Sequence, residues 1–238
     1  MQFNAAMELY NSRKAYKLFG NFVSVANISL QIYLLIQLRH YSIGAARQLL
    51  AIVVAYFVTD FVNGLVHMFM DDNDRYDSLW GPLIANFHLH HKVPKYKKCN
   101  LFMVYFNESG SKVWLVVYLL GVTLLENFHG IAPSDTVITL VYIGIFSSLA
   151  EVSHYLCHSS SSPAAKFLAQ IGILLPKRHH AQHHIQDNRN YAFFNGLTDP
   201  LLNLIAARFC RGYKLHTDLH FANYTAADLD KRVIESTP

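Results

Sequence analysis

Four apolar runs, separated by polar and partly basic loops, set the plan of this chain. Residues 22–38 carry no charge and stop at Arg39. Residues 49–70 form a longer run, interrupted by Asp60 and His67, and residues 113–125 form a third. Residues 136–156 form a fourth, with Glu151 and His154 near its end. A helix needs roughly 20 apolar residues to cross the hydrocarbon core, so the pattern predicts an all-α integral membrane protein with about four transmembrane helices. The first run, softened by Asn27, Ser29 and Gln31, is at the short end of the spanning range. Residues 1–20 are mixed and basic (Arg13, Lys14, Lys17) and predict a short helix lying on a membrane surface. Thr198-Asp199-Pro200 reads as a helix start, with Asp199 as N-cap and Pro200 in the first helical position. The helix it opens, residues 201–210, is too short to span and is expected in the interface. Three regions follow: a basic N-terminal surface segment (1–20), a transmembrane domain (21–210) and a polar C-terminal tail (211–238).

Composition and charge narrow the class. Hydrophobic residues make up 52% of the 238 and charged residues only 15%, against roughly 25% charged in soluble domains. The three cysteines, Cys99, Cys157 and Cys210, include no close-spaced pair, which argues against a disulfide framework or a cysteine-based zinc site. The net charge of +4 is spread between the apolar runs, so no basic face suits nucleic acid. The first run starts near Phe22 and lacks a small-residue cleavage site after it, so no cleavable signal pattern is expected. Arg75, Lys92, Lys95, Lys97, Lys98 and Lys112 crowd the segment between the second and third runs, whereas residues 126–135 hold no Lys or Arg. The positive-inside rule then places the N-terminus, residues 71–112 and everything after residue 156 in the cytoplasm, with Arg39 and Arg47 weighing slightly against it. Such a chain suits a bacterial inner membrane or the endoplasmic reticulum.

On this topology ten of the fourteen histidines fall on one side as a cytoplasmic histidine-rich cap. His67 and Asp71 stand four apart at the end of the second run, and His154 and His158 do so at the end of the fourth. His88, His90 and His91 lie between them, and His179, His180, His183 and His184 form the last group, three of them on one helical face. A lone buried histidine is more often a hydrogen-bonded core residue, and a loop triplet is often merely solvated. Convergence on one side, with ionisable groups inside apolar spans, argues for metal ligation. His40, His129, His216 and His220 have no such neighbours. No HExxH occurs, which leaves a zinc protease unsupported. The candidates outnumber the four ligands of a closed zinc site and are enough for two metals. Imidazole suits iron, copper and zinc alike, so the residues alone leave the metal open.

The blocks Asp60-Phe-x-x-Gly-x-Val-His67-x3-Asp71, Phe87-x-x-His90-His91, Asn107-Glu-x-Gly110, His154-x3-His158 and Leu175-Pro-x-x-His-His-x-x-His-His184, then Tyr191 and Gly196, occur in that order. Over roughly residues 50–205 they resemble the membrane lipid desaturases, the family that includes plasmanylethanolamine desaturase (Kua-type), CarF and the plastid phosphatidylglycerol fatty acid desaturase. Met68, where relatives often carry Trp, and the extra His88 depart from the pattern. The resemblance implies an oxidoreductase with two iron ions and O2 as co-substrate. Such an enzyme would place a double bond in a membrane phospholipid, in an ether-linked or an acyl chain. It implies catalytic ligands at His67, His90, His91, His154, His158, His180, His183 and His184, with Asp71 and His179 as further metal-site residues. It also implies an electron donor such as cytochrome b5 or ferredoxin with its reductase, since no dinucleotide or haem-attachment motif is present. A di-iron lipid hydroxylase is the close alternative; a b-type haem protein or a metal carrier would be alternatives of another class.

Overall fold

The computed structural model describes residues 2–93, 100–128, 132–214 and 216–223. The described residues form ten α-helices and no strand: α1 Gln2–Ser12, α2 Lys14–Gln37, α3 Ala45–Asp71, α4 Gly81–Lys92, α5 Leu101–Ser109, α6 Val113–Asn127, α7 Ser134–Ser159, α8 Pro163–Gln170, α9 Lys177–Gln186 and α10 Asp199–Phe209. The loop residues Lys95, Lys97, Lys98 and Cys99, His129 and the tail beyond Asn223 lie outside the described residues.

Three helical segments are long and apolar enough to cross a bilayer on their own: Lys14–His40, Ala45–Asp71 and Ser134–Ser159. The expected third span has a different shape. At 15 residues, α6 reaches only about 22 Å, short of the roughly 30 Å hydrocarbon core. It qualifies only jointly with α5, from which it is bent by 88°. The break is held open by polar groups drawn inward. Lys112 Nζ reaches Glu151 Oε1 at 2.9 Å and donates to Asn63 Oδ1 at 2.6 Å. Asn27 Nδ2 donates to the Ser109 and Lys112 carbonyls on either side of the break. Irregular backbone survives at membrane depth only where protein satisfies it in this way.

The packed centre is the α3–α7 pair. Small and polar residues face one another there: Ala51, Ala55, Thr59 and Asn63 on α3, Ser147 and Ala150 on α7, all buried. Asn63 Nδ2 donates to Ser147 Oγ at 3.1 Å. Small residues let membrane helices approach closely, and side-chain hydrogen bonds across the contact add to the packing. Leu49, Leu50, Phe57, Val117 and Leu124 stay exposed on the outer faces, where a bilayer would cover them.

Helix α1 packs together with residues 213–222. Helix α1 repeats apolar residues at Phe3, Ala6, Met7 and Tyr10, one helical face. That face is buried with Tyr76, Ile84, Ala85 and Leu89 and with Tyr213, Leu219 and Ala222 from the far end. The Asp218 carboxylate accepts the Phe3 N–H at 3.1 Å. A segment expected to lie on a membrane and a tail expected to be polar thus form one cover over α4. At α10 the N-cap is Thr198, not Asp199, which sits in the first turn. Asp199 is committed elsewhere: its carboxylate accepts from Ala192 N–H at 2.9 Å and from His179 Nε2 at 2.6 Å.

Candidate metal centre

Four helix segments deliver histidines to one end of the bundle. The last turn of α3 brings His67 and Asp71, α4 brings His90 and His91, the last turns of α7 bring His154 and His158, and α9 brings His180, His183 and His184. Their ligand atoms fall into groups in which all atoms lie within 4.8 Å of one another. One group is His67, Asp71, His91 and His183. Two others, His90/His180/His184 and His154/His158/His180, share His180. Helical spacing explains the division. On α9, His180 and His184 stand four apart and turn to one set, while His183 turns to the other. On α4, consecutive His90 and His91 diverge in the same way. The two sets adjoin, with His90 and His91 ring centroids 4.1 Å apart.

The first set is organised about Asp71. Its Oδ1 accepts from His91 Nε2 at 2.8 Å, and its Oδ2 lies 3.3 Å from His183 Nε2 and 3.6 Å from His67 Nε2. In the second set the Nε2 atoms converge. His154 and His180 are 2.9 Å apart, His180 and His184 3.1 Å, and His154 and His158 3.2 Å.

Backbone carbonyls fix three of the tautomers. A carbonyl can only accept, so the nitrogen facing it must carry the proton. His67 Nδ1–H donates to Tyr191 O at 2.8 Å, His183 Nδ1–H to Arg189 O at 2.8 Å and His90 Nδ1–H to Phe87 O at 2.9 Å. Each ring therefore turns an Nε2 lone pair inward. Those three Nε2 atoms, with Asp71 Oδ2, His91 Nδ1, His180 Nδ1 and His184 Nδ1, are buried without a hydrogen-bond partner. Leaving a buried polar atom unsatisfied costs about 1–3 kcal/mol, and native interiors rarely tolerate several side by side. A cation accepted by the His67, His90 and His183 Nε2 lone pairs and by Asp71 Oδ2 removes that cost at those atoms, and the donor set fits one. Outside the membrane-spanning helices, burial pulls the pKa of His90, His91, His180 and His184 down from the ordinary histidine value. Neighbouring imidazoles add to this, and Asp71 opposes it at His90 and His91. The rings are thus neutral, the form that binds metal.

The loop after α9 supplies two of these carbonyls, those of Arg189 and Tyr191, and α4 itself supplies that of Phe87. Asp187 and Asn190 both adopt positive φ, 60° and 58°, which Asp and Asn tolerate better than most side chains. The loop is then clamped from α3. Buried Asp60 accepts the Asn195, Gly196 and Thr198 N–H groups at 2.9, 3.2 and 3.0 Å and the Thr198 hydroxyl at 2.7 Å. Gly64, one turn along α3, admits the loop: a Cβ there would collide with Leu202 and stand 3.3 Å from the Ala192 backbone.

Of the expected metal-site residues His179 stands apart from the sets, as do His88 and Asn107, which were not expected in them. His179 is bonded to Asp199 and is in none of the groups. His88 is fully buried, but Tyr76 Oη–H donates to its Nδ1 at 2.6 Å and its Nε2–H donates to Met70 O at 2.8 Å. Both ring nitrogens are used, which makes it a packing residue. Asn107 is exposed, and its neighbour Glu108 lines a cavity of about 160 Å³ beside the centre with His67, Phe87, His90, Glu151 and His154. Sequence reasoning missed Tyr213, whose ring stacks on His91, and the Lys112–Glu151 pair, although a lysine and a glutamate flanking or inside apolar runs were visible signals.

The model of the lipid desaturase domain matches residues 56–210, more than half of the chain. No curated protein and no solved structure matches it. The matched segment opens on α3 just before the Asp60 block and closes at the end of α10, so it contains both ligand sets whole. The chain belongs to the lipid desaturase domain family.

Proposed function

We propose that the chain is an O2-dependent desaturase that holds two irons and introduces a double bond into a membrane lipid chain. The observation that carries the reading is the pair of adjoining ligand sets, whose buried lone pairs are aimed inward at the ends of apolar helices. The proposed ligands are His67, Asp71, His91 and His183 in one set and His90, His154, His158, His180 and His184 in the other; His179 is assigned to Asp199 instead. Iron is favoured over zinc because removing hydrogen from an alkyl chain is a redox step and zinc has no redox chemistry.

Bound irons would supply the O2 activation that side chains cannot. In balance, two hydrogens leave adjacent carbons, and O2 with two electrons and two protons becomes two waters. The protein's part is positional. Tyr191, Arg189 and Phe87 carbonyls keep the rings in one tautomer, Asp71 adds one negative charge, and burial excludes water. Phe87, Leu89, Val93 and Phe193 give the adjoining cavity an apolar wall, suited to an alkyl chain entering from the bilayer. The electrons come from a separate donor such as cytochrome b5 or ferredoxin with its reductase, with the histidine-bearing end and both termini in the cytoplasm. The geometry disfavours a haem between His67 and His154: His154 Nε2 lies 2.9 Å from His180 Nε2, and a porphyrin has no room there.

The deciding experiment is lipid mass spectrometry of cells expressing the wild type or His183→Ala, with iron measured in each purified protein. A lipid species two hydrogens lighter that appears only with the wild type supports the reading. Identical lipid profiles from an expressed, iron-loaded wild type and from the variant overturn it.

A further inference from the structure

At the opposite end of the bundle, a second polar pocket has no part in that chemistry. It is a cavity of about 460 Å³ lined by Tyr33 and Gln37 of α2, His40 and Tyr41 just beyond it, and Glu126 and Asn127 at the end of α6. Helix α3 starts at this end and carries His67 and Asp71 near its other end. Its 27 residues separate the two sites by about 40 Å.

Glu126 is the feature that calls for an explanation. It is 5% exposed, lines the pocket, and makes no hydrogen bond or ion pair with any described residue. The two tyrosines need none, since tyrosine is common where helices meet the head-group layer. The Glu126 carboxylate opens into the pocket from an otherwise buried side chain, so a charged partner for it has to come from there.

We propose that this pocket binds a primary ammonium group, and that the head group of an aminophospholipid in the adjacent leaflet supplies it. Three features select that ligand. With a single carboxylate the pocket is poor in the anionic oxygen ligands that a calcium ion collects. A primary ammonium carries three N–H donors, which the Glu126 carboxylate, the tyrosine hydroxyls and the amide oxygens of Gln37 and Asn127 can accept. A quaternary ammonium has no N–H and leaves the carboxylate without a hydrogen bond. At the rim, exposed Arg39 donates through Nε to His40 Nε2 at 3.2 Å. Its terminal nitrogens remain to meet a phosphate, as guanidinium groups commonly do. Ammonium inside and phosphate at the rim reproduce the order of charges in such a head group. The stability of the fold then depends on the lipid composition of the leaflet away from the histidines. This holds whether or not the histidine sets carry iron.

The test uses the full chain in nanodiscs, with native mass spectrometry for retained lipid and thermal unfolding for stability. The probes are phosphatidylethanolamine, phosphatidylcholine and free ethanolamine. The expected result is at least about tenfold preferential retention of phosphatidylethanolamine over phosphatidylcholine, the worth of one charge-assisted hydrogen bond, and a higher unfolding temperature with it. Glu126→Gln, which replaces a buried charge by a neutral amide, should fold at least as well in phosphatidylcholine and lose the preference. Protection by free ethanolamine that depends on Glu126, equal to that from the lipid, would keep the ammonium site and assign it to a soluble amine. Equal retention of the two lipids by the wild type, or an unchanged preference in Glu126→Gln, overturns the proposal.

Discussion

The Tyr213 ring lies on the His91 ring, with centroids 3.9 Å apart and planes 25° from parallel. Tyr213 is outside the segment that the family model matches, yet it touches the carboxylate-bearing ligand set. Its backbone N–H donates to Asp187 Oδ1 at 3.0 Å and its hydroxyl to His184 O at 3.2 Å, so one residue joins the C-terminal segment, the loop after α9 and α4. Replacing it by Ala removes a buried ring at a cost of about 3 kcal/mol and frees His91 to turn. Tyr213→Ala is expected to unfold at lower temperature and to lose metal from the Asp71 set, seen as a fall in metal bound per chain. Tyr213→Phe keeps the stack and should stay near wild type in metal content. Equal loss in both variants would show that the hydroxyl, not the ring, matters.

Two histidines three residues apart on α4, His88 and His91, should behave oppositely. His88 has both nitrogens hydrogen bonded, to Tyr76 and Met70, whereas His91 contacts Asp71 and keeps a buried Nδ1 without a partner. Tyr76→Phe strands the His88 Nδ1 acceptor at a cost of about 1–3 kcal/mol, with metal content unchanged. His91→Ala is expected to do the reverse, lowering metal content more than stability, because it removes an atom left unsatisfied in the metal-free fold. Metal analysis and thermal unfolding of the two proteins separate these effects. His179→Gln, which can still donate to Asp199, should retain full metal content.

How far the sequence discloses this arrangement depends on the kind of signal. The spans at α3 and α7 are long apolar runs, and the candidate ligands recur at helical spacing, so both can be picked out from hydropathy and periodicity alone. The division of His90 from His91, or of His183 from His184, is not, because it depends on how α4 and α9 are rotated against α3 and α7. The bend between α5 and α6 was hidden for a related reason. Nothing in residues 101–112 marks Lys112 as buried; its partners Asn63 and Glu151 are 49 and 39 positions away. The Phe3/Ala6/Met7/Tyr10 face of α1 is visible as a helical repeat, but its packing on α4 and on residues 213–222 is not. The contact of His179 with Asp199 and those of His88 with Tyr76 and Met70 are likewise visible only in the fold, and what a histidine's two nitrogens face bears on its role.

Asp60 supports the centre without touching it. It accepts four hydrogen bonds from residues 195–198 while sitting two turns from His67 on α3. Asn at this position keeps one acceptor oxygen and introduces two donors facing backbone N–H groups. With hydrogen bonds to a charged acceptor worth about 1.5–3 kcal/mol each, Asp60→Asn is expected to cost about 3 kcal/mol or more. The loss should appear first as faster proteolysis within residues 187–198, before the spans unfold. Cleavage at the wild-type rate would mean that Gly64 packing, rather than the carboxylate, holds the loop.

Burial of the histidines also ties the metal-free fold to pH. In the native chain His90, His91, His180 and His184 have pKa values below the ordinary one, chiefly through desolvation. An unfolded chain takes up these protons near the reference pKa of about 6.5, so below that pH the unfolded state binds more protons than the native one. Stability must then fall as pH falls, by up to about 1.4 kcal/mol per pH unit for each such ring, and it is insensitive to these rings above about pH 7. Unfolding of the metal-free protein in detergent, followed from pH 8 to pH 5, should show a plateau and then a decline beginning near pH 6.5. Metal held by the same lone pairs competes with those protons, so the loaded protein should keep its plateau to lower pH. A metal-free protein as stable at pH 5 as at pH 8 would mean that the rings are open to water, and the buried lone pairs on which the metal-site reading rests would be lost with it.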